Sequence, residues 1–319
     1  MTALLSADDV SVAYRDGARW LQAVDRVSFA LPPKARLAIM GESGSGKTTL
    51  ALAIADLLPH DGIRRSGAVR WPALGGAARP GRDVGFVFQD PMSSLNPVLS
   101  VGEQIAEVAV THLGLSWPAA LDRAAELLDR VGLPRPRDRL TSFPHELSGG
   151  QRQRVALAMA ITAEPKLLIA DEPTSALDTL TQAQIVHLLD RLATEIGLAL
   201  VLVTHDLALA ANLAGTGMLM YAGRVAELGP IETMVSAPRH PYLQALVAAS
   251  LDPDRPPTDR LAEIPGIPPQ PGAAIPGCAF EPRCPRARSA CRSRPPGWAG
   301  TPADGVDCIQ FDQLAAVHR

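Results

Sequence analysis

The sequence predicts an α/β fold: a phosphate-loop core carrying a helical subdomain, followed by a proline- and cysteine-rich C-terminal extension. Three observations predict it. Strand-like apolar runs alternate with helical stretches up to about residue 235. A complete G-x-x-x-x-G-K-[ST] run, Gly41 to Thr48, joins a short apolar strand to a helix. Of 29 prolines, 15 fall between Pro238 and Pro302, and all four cysteines lie from Cys278 onward. A chain of 319 residues allows about two domains. Composition divides it into 1–236 and 237–319, with the helical subdomain over about residues 90–165. Hydrophobic residues at 47% and charged residues at 20% describe a globular core rather than disorder. The formal net charge of −3 (30 − 33) supplies no basic field for nucleic acid. No apolar run approaches the ~18–20 residues that cross a bilayer. Met1 to Val10 has neither a basic start nor an apolar run, so no secretory signal is expected and the cytoplasm is the expected compartment.

Each element has its own signal. Asp9 to Tyr14 and Val24 to Leu31 read as strands joined by a polar turn. Arg36 to Met40 is a short buried strand, and Lys47 to Leu58 a helix. Gly67 to Trp71 and Asp83 to Phe88 read as strands. From Val101 to Met159 the pattern is helical, broken at Gly114–Leu115, Gly132–Pro136 and Pro144. Leu167 to Ala170 and Leu198 to Val203 are uniformly apolar, as strands buried on both faces are. Gly217 to Tyr221 and Arg224 to Gly229 read as a hairpin. Between Pro253 and Pro302 the proline density predicts extended segments and turns, without long helices or paired strands.

The loop Gly41-Glu42-Ser43-Gly44-Ser45-Gly46-Lys47-Thr48 predicts a nucleotide site. Glycines let successive backbone N–H groups converge on phosphate oxygens, and the helix that begins here, with Thr49 in its first turn, adds its positive end. Lys47 then faces the β- and γ-phosphates, and the Thr48 hydroxyl binds Mg²⁺. Leu167-Leu168-Ile169-Ala170 ends in Asp171-Glu172, placing two carboxylates at a strand's C-terminal edge, where parallel sheets hold ligands. Asp171 serves Mg²⁺ there, and Glu172 polarises the attacking water as general base.

With Leu147-Ser148-Gly149-Gly150-Gln151, 20 residues before that acidic pair, the chain resembles the ATP-binding cassette (ABC) ATPases. Ser148 and its glycines offer a second anion site at a helix start. The resemblance implies a head-to-tail pair of ATPase subunits, in which this segment closes over ATP held by the partner's loop. It further implies that Gln89 reaches Mg²⁺ and the water, that Ser175-Ala176-Leu177-Asp178 crosses the dimer interface, and that His205 holds the γ-phosphate. Tyr14, 27 residues before Gly41 on a strand, is the candidate for stacking on adenine; a half-buried tyrosine on a sheet is the plainer alternative.

A narrower resemblance rests on Gln89-Asp90-Pro91-Met92-Ser93-Ser94-Leu95-Asn96-Pro97, Phe143-Pro144-His145-Glu146, Ala237-Pro238-Arg239-His240-Pro241-Tyr242 and Gly277-Cys278-Ala279-Phe280-Glu281-Pro282-Arg283-Cys284-Pro285. These look like the oligopeptide/dipeptide/nickel importer branch. That branch implies an ATP-hydrolysing motor on the cytoplasmic face of the inner membrane, paired with a second, related ATPase as a heterodimer. It docks on two integral membrane permeases fed by an extracytoplasmic solute-binding protein. Peptides, nickel chelates and glycosides all remain open as cargo, as does a non-transport role such as that of a phosphonate-cleavage accessory ATPase. The segment between Trp71 and Asp83 is shorter and less charged than in the family, and no histidine precedes Cys308 between Arg292 and Asp307.

The cysteines Cys278, Cys284, Cys291 and Cys308 are spaced C-x₅-C-x₆-C-x₁₆-C. Disulfides are disfavoured in the cytosol. Four thiolates suit a tetrahedral Zn²⁺ or a [4Fe–4S] cluster, with free structural thiols as the plain alternative. The family resemblance favours the cluster.

Overall fold

The computed structural model describes residues 2–250 and 263–311, apart from Ala176, Pro271 and Ala274. Its strands are β1 (Leu5–Asp16), β2 (Arg19–Leu31), β3 (Arg36–Met40), β4 (Gly62–Arg70), β5 (Val84–Val87), β6 (Leu167–Asp171), β7 (Ala199–Thr204), β8 (Thr216–Tyr221), β9 (Arg224–Pro230), β10 (Trp298–Thr301) and β11 (Asp304–Asp307). The chain forms two compact units. One comprises residues 1–2, 32–35 and 73–202; the other comprises 3–31, 36–72 and 203–319.

The unit built on 73–202 is mainly helical. Its strands run in the order β7-β6-β5, with β5 and β6 parallel from Val84↔Leu167 to Val87↔Ala170. Every residue of β6 and β7 is buried, which explains their unbroken apolar runs. The helices start where the chain supplies caps. Ser100 and Glu103 form a reciprocal capping box before Val101–Leu113, and Gly114 ends that helix in the left-handed region. Ser148 and Gln151 do the same for Gly149–Ile161. Asp178 caps Thr179–Ile196 and Gly197 closes it. The helix Trp117–Arg130 completes the group, packing on Val101–Leu113 through Ala106, Ala109 and Ala120.

The other unit contains two sheets. An antiparallel sheet has the order β2-β1-β4. Its β1 bulges at Asp9, a non-glycine residue at φ 49°, and a side chain on Gly67 of β4 (φ 78°) would collide with the Asp8 and Asp9 carbonyls. The second sheet runs β10-β11-β9-β8-β3. Here β3 pairs parallel with β8, β8 and β9 form the expected hairpin, and β11 adds antiparallel to β9 at Gly305↔Leu228 and Val306↔Glu227. Ala38 and Met40 of β3 share a core with Leu219 and Tyr221 of β8, Ile231, Met234, Tyr242, Leu243 and Phe280. The C-terminal segment is thus packed into the same core as the strand that precedes the phosphate loop.

Three expectations are corrected. The first helix ends at Ala55 rather than Leu58, because Asp56 adopts φ 57° and closes it with a bond to the Leu52 carbonyl. The strand placed at Gly67 to Trp71 begins earlier, at Gly62, drawn into register by Tyr14↔Gly62 and Ala13↔Ile63 on β1. Within the proline-rich stretch, Trp298–Thr301 is a paired strand. That short piece carries no proline, and Gly305 opposite leaves room for the Trp298 ring to lie across it. Residues 253–262 of that stretch lie outside the described residues.

Candidate functional site

The phosphate loop leaves β3 at Gly41 and delivers its chain into the helix Lys47–Ala55. Gly41 (φ 145°) and Gly46 (φ 100°) take conformations that L side chains rarely adopt. A Cβ at Gly41 would strike the Met220 carbonyl, and one at Gly46 would stand 2.5 Å from the Ala23 carbonyl. The loop is therefore a backbone cradle walled by β8 and β2. Gly223, in the β8–β9 turn, donates its N–H to the Ser45 carbonyl at 3.0 Å and ties down its middle.

Lys47 is buried, and its Nζ donates to the Gly41 carbonyl at 2.8 Å and the Glu42 carbonyl at 2.9 Å. Thr48, Ser43 and Gly44 are exposed along the loop. The Ser45 hydroxyl is buried without a hydrogen-bond partner among the described residues, which is what a loop shaped for an oxyanion leaves. These features fit nucleotide phosphates. Tyr14 lies half-buried on β1, its hydroxyl donating to Thr49 Oγ1 at 3.2 Å and its ring against Gly62. The expected adenine candidate is thus attached to the loop's helix. His205 follows β7 and is exposed.

In the other unit, β6 ends on buried Asp171, and Glu172 turns out of the strand at φ 44°. That left-handed conformation is costly for a residue with a Cβ and is held by Ser175, whose N–H and hydroxyl both donate to the Glu172 carbonyl, at 3.2 and 3.1 Å. Gln89, just past β5, donates from Nε2 to Glu172 Oε2 at 2.9 Å. Two residues 83 apart in sequence are so brought together. The pair supplies a carboxylate able to accept a proton and an amide that orients it.

The third group is the start of the helix Gly149–Ile161. Ser148 Oγ accepts from the Gln151 N–H at 3.3 Å, and Gln151 Oε1 accepts from the Ser148 N–H at 3.0 Å. Gly149 and Gly150 lie against Leu177 and Thr181, and a side chain added at Gly150 would press on Thr181. Asp178 accepts from the Thr181 N–H at 3.0 Å and the Thr181 hydroxyl at 2.8 Å, bonds that hold its carboxyl below the usual range. The serine-glycine segment and the Asp178 turn therefore form one surface. Ala176, between Ser175 and Asp178, lies outside the described residues.

The four cysteines are free thiols, Cys291 and Cys308 buried, Cys278 and Cys284 partly so. Burial pushes the Cys278 thiol up to about 11, with added repulsion from Cys291, Cys308 and Cys284. Cys284 and Cys308 are raised for the same reasons. Cys278 also donates its N–H to the Cys291 carbonyl at 2.7 Å. The donors are soft and share one locus, as a thiolate-bound group needs. Among the described residues, no set of three or more His, Cys, Asp or Glu is arranged to hold a metal ion.

Residue patterns missed the partners of Glu42. Its N–H donates to the Tyr242 hydroxyl at 2.8 Å, and its carboxylate meets Arg283. Both partners stand inside the quoted proline-rich motifs, but no spacing rule links them to residue 42.

A cradle of backbone N–H groups with its buried lysine, together with an acidic strand end and a serine-glycine helix start, defines an ABC-type ATPase. The comparisons agree. The ABC transporter family model matches residues 24–175, and the model of the oligopeptide/dipeptide transporter C-terminal region matches residues 226–291. The dipeptide transport ATP-binding protein DppD of Escherichia coli (strain K12) is 44% identical over 307 residues, covering 92% of each chain. A Brucella abortus (strain 2308) protein described as a peptide import ATP-binding protein is 45% identical over 298 residues, 90% of this chain and 89% of that one. Among solved structures, the ATP-binding cassette MJ0796, a dimer in a post-hydrolysis state bound to ADP and Pi, matches with TM-score 0.62 and 28% identity, over 71% of this chain and 98% of that one. The cbiO1 protein of Clostridium perfringens, part of the ABC transporter complex cbiONQ, matches with TM-score 0.61 and 25% identity, over 74% and 92%. The chain belongs to the ABC transporter ATP-binding proteins, in the branch that carries the oligopeptide/dipeptide C-terminal region.

Proposed function

We propose that this chain is the ATP-hydrolysing motor of an importer for di- or oligopeptides, working at the cytoplasmic face of the membrane. Family membership and the match of residues 226–291 support the cargo class. Among the described residues, no helix is long and apolar enough to cross a membrane, so the reading assigns the substrate path to other chains. Those partners are a second ATPase subunit, two membrane permeases and an extracytoplasmic binding protein.

In this reading Lys47, the 41–46 backbone and Thr48 hold the phosphates and Mg²⁺, and Tyr14 packs on the base. Asp171 and Gln89 serve the metal, and His205 the γ-phosphate. Mg²⁺ supplies charge neutralisation on the phosphates. Glu172 takes the proton of the attacking water, and Gln89 aims its carboxylate; their 2.9 Å bond is the observation that carries the assignment. Ser148, Gly149, Gly150 and Gln151, with Asp178, form the surface that closes over the partner's nucleotide. The four cysteines hold a [4Fe–4S] cluster that stiffens the C-terminal segment, a reading supported by donor type and mutual proximity.

The test is reconstitution with the neighbouring permeases and binding protein. Peptide-loaded binding protein should stimulate ATP hydrolysis and drive peptide uptake. Stimulation by nickel chelates or glycosides alone would replace the cargo, and a gene neighbourhood of phosphonate-lyase subunits without permeases would replace the role.

A further inference from the structure

We propose that Arg283, carried by the C-terminal cysteine segment, is a positioning residue for the phosphate loop. Its guanidinium grips Glu42, the second residue of that loop, in a two-pronged bond. Nη1 donates to Oε2 at 2.6 Å and Nη2 to Oε1 at 2.9 Å. The arginine side chain is only 4% exposed. It is held from every side: Nε donates to the Pro265 carbonyl at 2.9 Å, Nη1 also to the Tyr221 hydroxyl at 3.2 Å, and its cation lies about 6 Å from the Tyr221 and Phe280 ring centres. Gly266, at φ 79°, leaves the space its stem occupies.

Glu42 passes this constraint inward. Its N–H is committed to the Tyr242 hydroxyl. Its carbonyl accepts from Lys47 Nζ at 2.9 Å and from the Ser45 N–H at 3.2 Å. One residue of the loop is thus clamped at side chain, N–H and carbonyl, with Arg283 and Tyr242 outside and Lys47 inside. An ion pair with its arginine buried in this way adds little as plain stabilisation, because desolvation offsets much of the attraction. Its geometric strictness is what distinguishes it: a planar fork sets the direction of the carboxylate as a point charge does not. Arg283 is the residue directly before Cys284, so whatever orders the cysteine segment also sets the grip on the loop.

The inference rests on Gly41 to Thr48 being the ATP loop, and the experiment separates the two. MgATP affinity is measured by calorimetry on the full chain for Arg283→Gln, Arg283→Lys, Glu42→Gln and the Glu42→Gln/Arg283→Gln double variant, with thermal midpoints alongside. Lys47→Ala tests the loop, and Arg292→Gln, which breaks the exposed Arg292–Glu281 pair, controls for general disturbance of the tail. Arg283→Gln should weaken affinity about 10-fold. Arg283→Lys should recover part of it, the double variant should be no worse than the singles, and Arg292→Gln should match the parent. In the assembled transporter KM for ATP should rise while kcat stays within about twofold. Should Arg283→Gln fail to fold, Arg283→Lys decides by the same measure. Unchanged affinity in folded Arg283 variants, while Lys47→Ala loses binding, overturns the positioning role alone. Parent-like affinity in Lys47→Ala overturns the loop assignment and this inference with it.

Discussion

Glu172 stands at φ 44°, a conformation its side chain makes costly, and its carboxylate is met by the Gln89 amide. Removing only the charge tests what that arrangement does. Glu172→Gln should cut steady-state hydrolysis by about 10²–10⁴-fold and leave ATP binding intact, because the amide keeps the shape and loses the basicity. Near-parental turnover in the assembled transporter would remove Glu172 from the role. His240 gives a separate prediction at this scale. It is 4% exposed, its Nδ1 accepts from the Tyr242 N–H at 3.0 Å, and burial drives its pKa from 6.5 down to about 4. Below 6.5 the unfolded chain binds a proton that the folded one refuses. Stability contributed here is therefore whole above pH 6.5 and is lost as pH falls toward 4, by about 3 kcal/mol in all. His240→Asn keeps an acceptor for the helix Pro241–Ala249 and does not titrate. Its thermal midpoint should vary less over that pH window, and an unchanged pH profile would dismiss His240 as the cause.

At the scale of elements, helix starts carry much of the site. Ser148 caps Gly149–Ile161, and in the proposed function its hydroxyl also faces the partner's nucleotide. Ser148→Arg should cost about 1 kcal/mol of stability through the lost cap. It should leave ATP binding at this chain's own loop unchanged and abolish hydrolysis at the site it completes on its partner, since a long cation fills the phosphate position. Measured in a dimer with one mutant subunit, full activity at both sites would refute the head-to-tail closure. Such starts are legible in sequence because caps are local: a serine, two residues, a glutamine. The Trp298–Thr301 strand was not legible for the opposite reason. Its own partner is the neighbouring β11, from Trp298↔Asp307 to Thr301↔Asp304, but the ribbon joins a sheet only where Val306 of β11 meets Glu227 of β9, a contact that no local pattern announces.

At the scale of the molecule, the C-terminal segment is not a free appendage. Tyr242, Leu243 and Phe280 bury in the core shared with β3, and Arg239 closes on the fully buried Glu227 at 3.1 Å. The segment therefore has apolar anchorage before any metal is considered. Anaerobically purified protein should nonetheless be brown and contain four irons per chain, and Cys284→Ser should bleach it. One zinc per chain would replace the cluster by a tetrahedral site, and protein without metal would leave four structural thiols. In either outcome the shared core predicts that Cys284→Ser still folds.

The sequence by itself determined the chemistry. Phosphate cradles, acidic strand ends and capped helix starts are short-range devices, each readable within about ten residues because backbone geometry and hydrogen bonding act at that range. It also determined the order of the strands and helices before the proline-rich stretch, through runs such as Leu167 to Ala170 that must be buried on both faces. Only the tertiary structure decided which distant side chains meet: Gln89 with Glu172, Tyr14 with Thr49, and above all Arg283 with Glu42, 241 residues away. The physical reason is that a salt bridge or a shared core depends on three-dimensional proximity, and nothing in the local spacing of an arginine before a cysteine records which carboxylate the fold will bring to it.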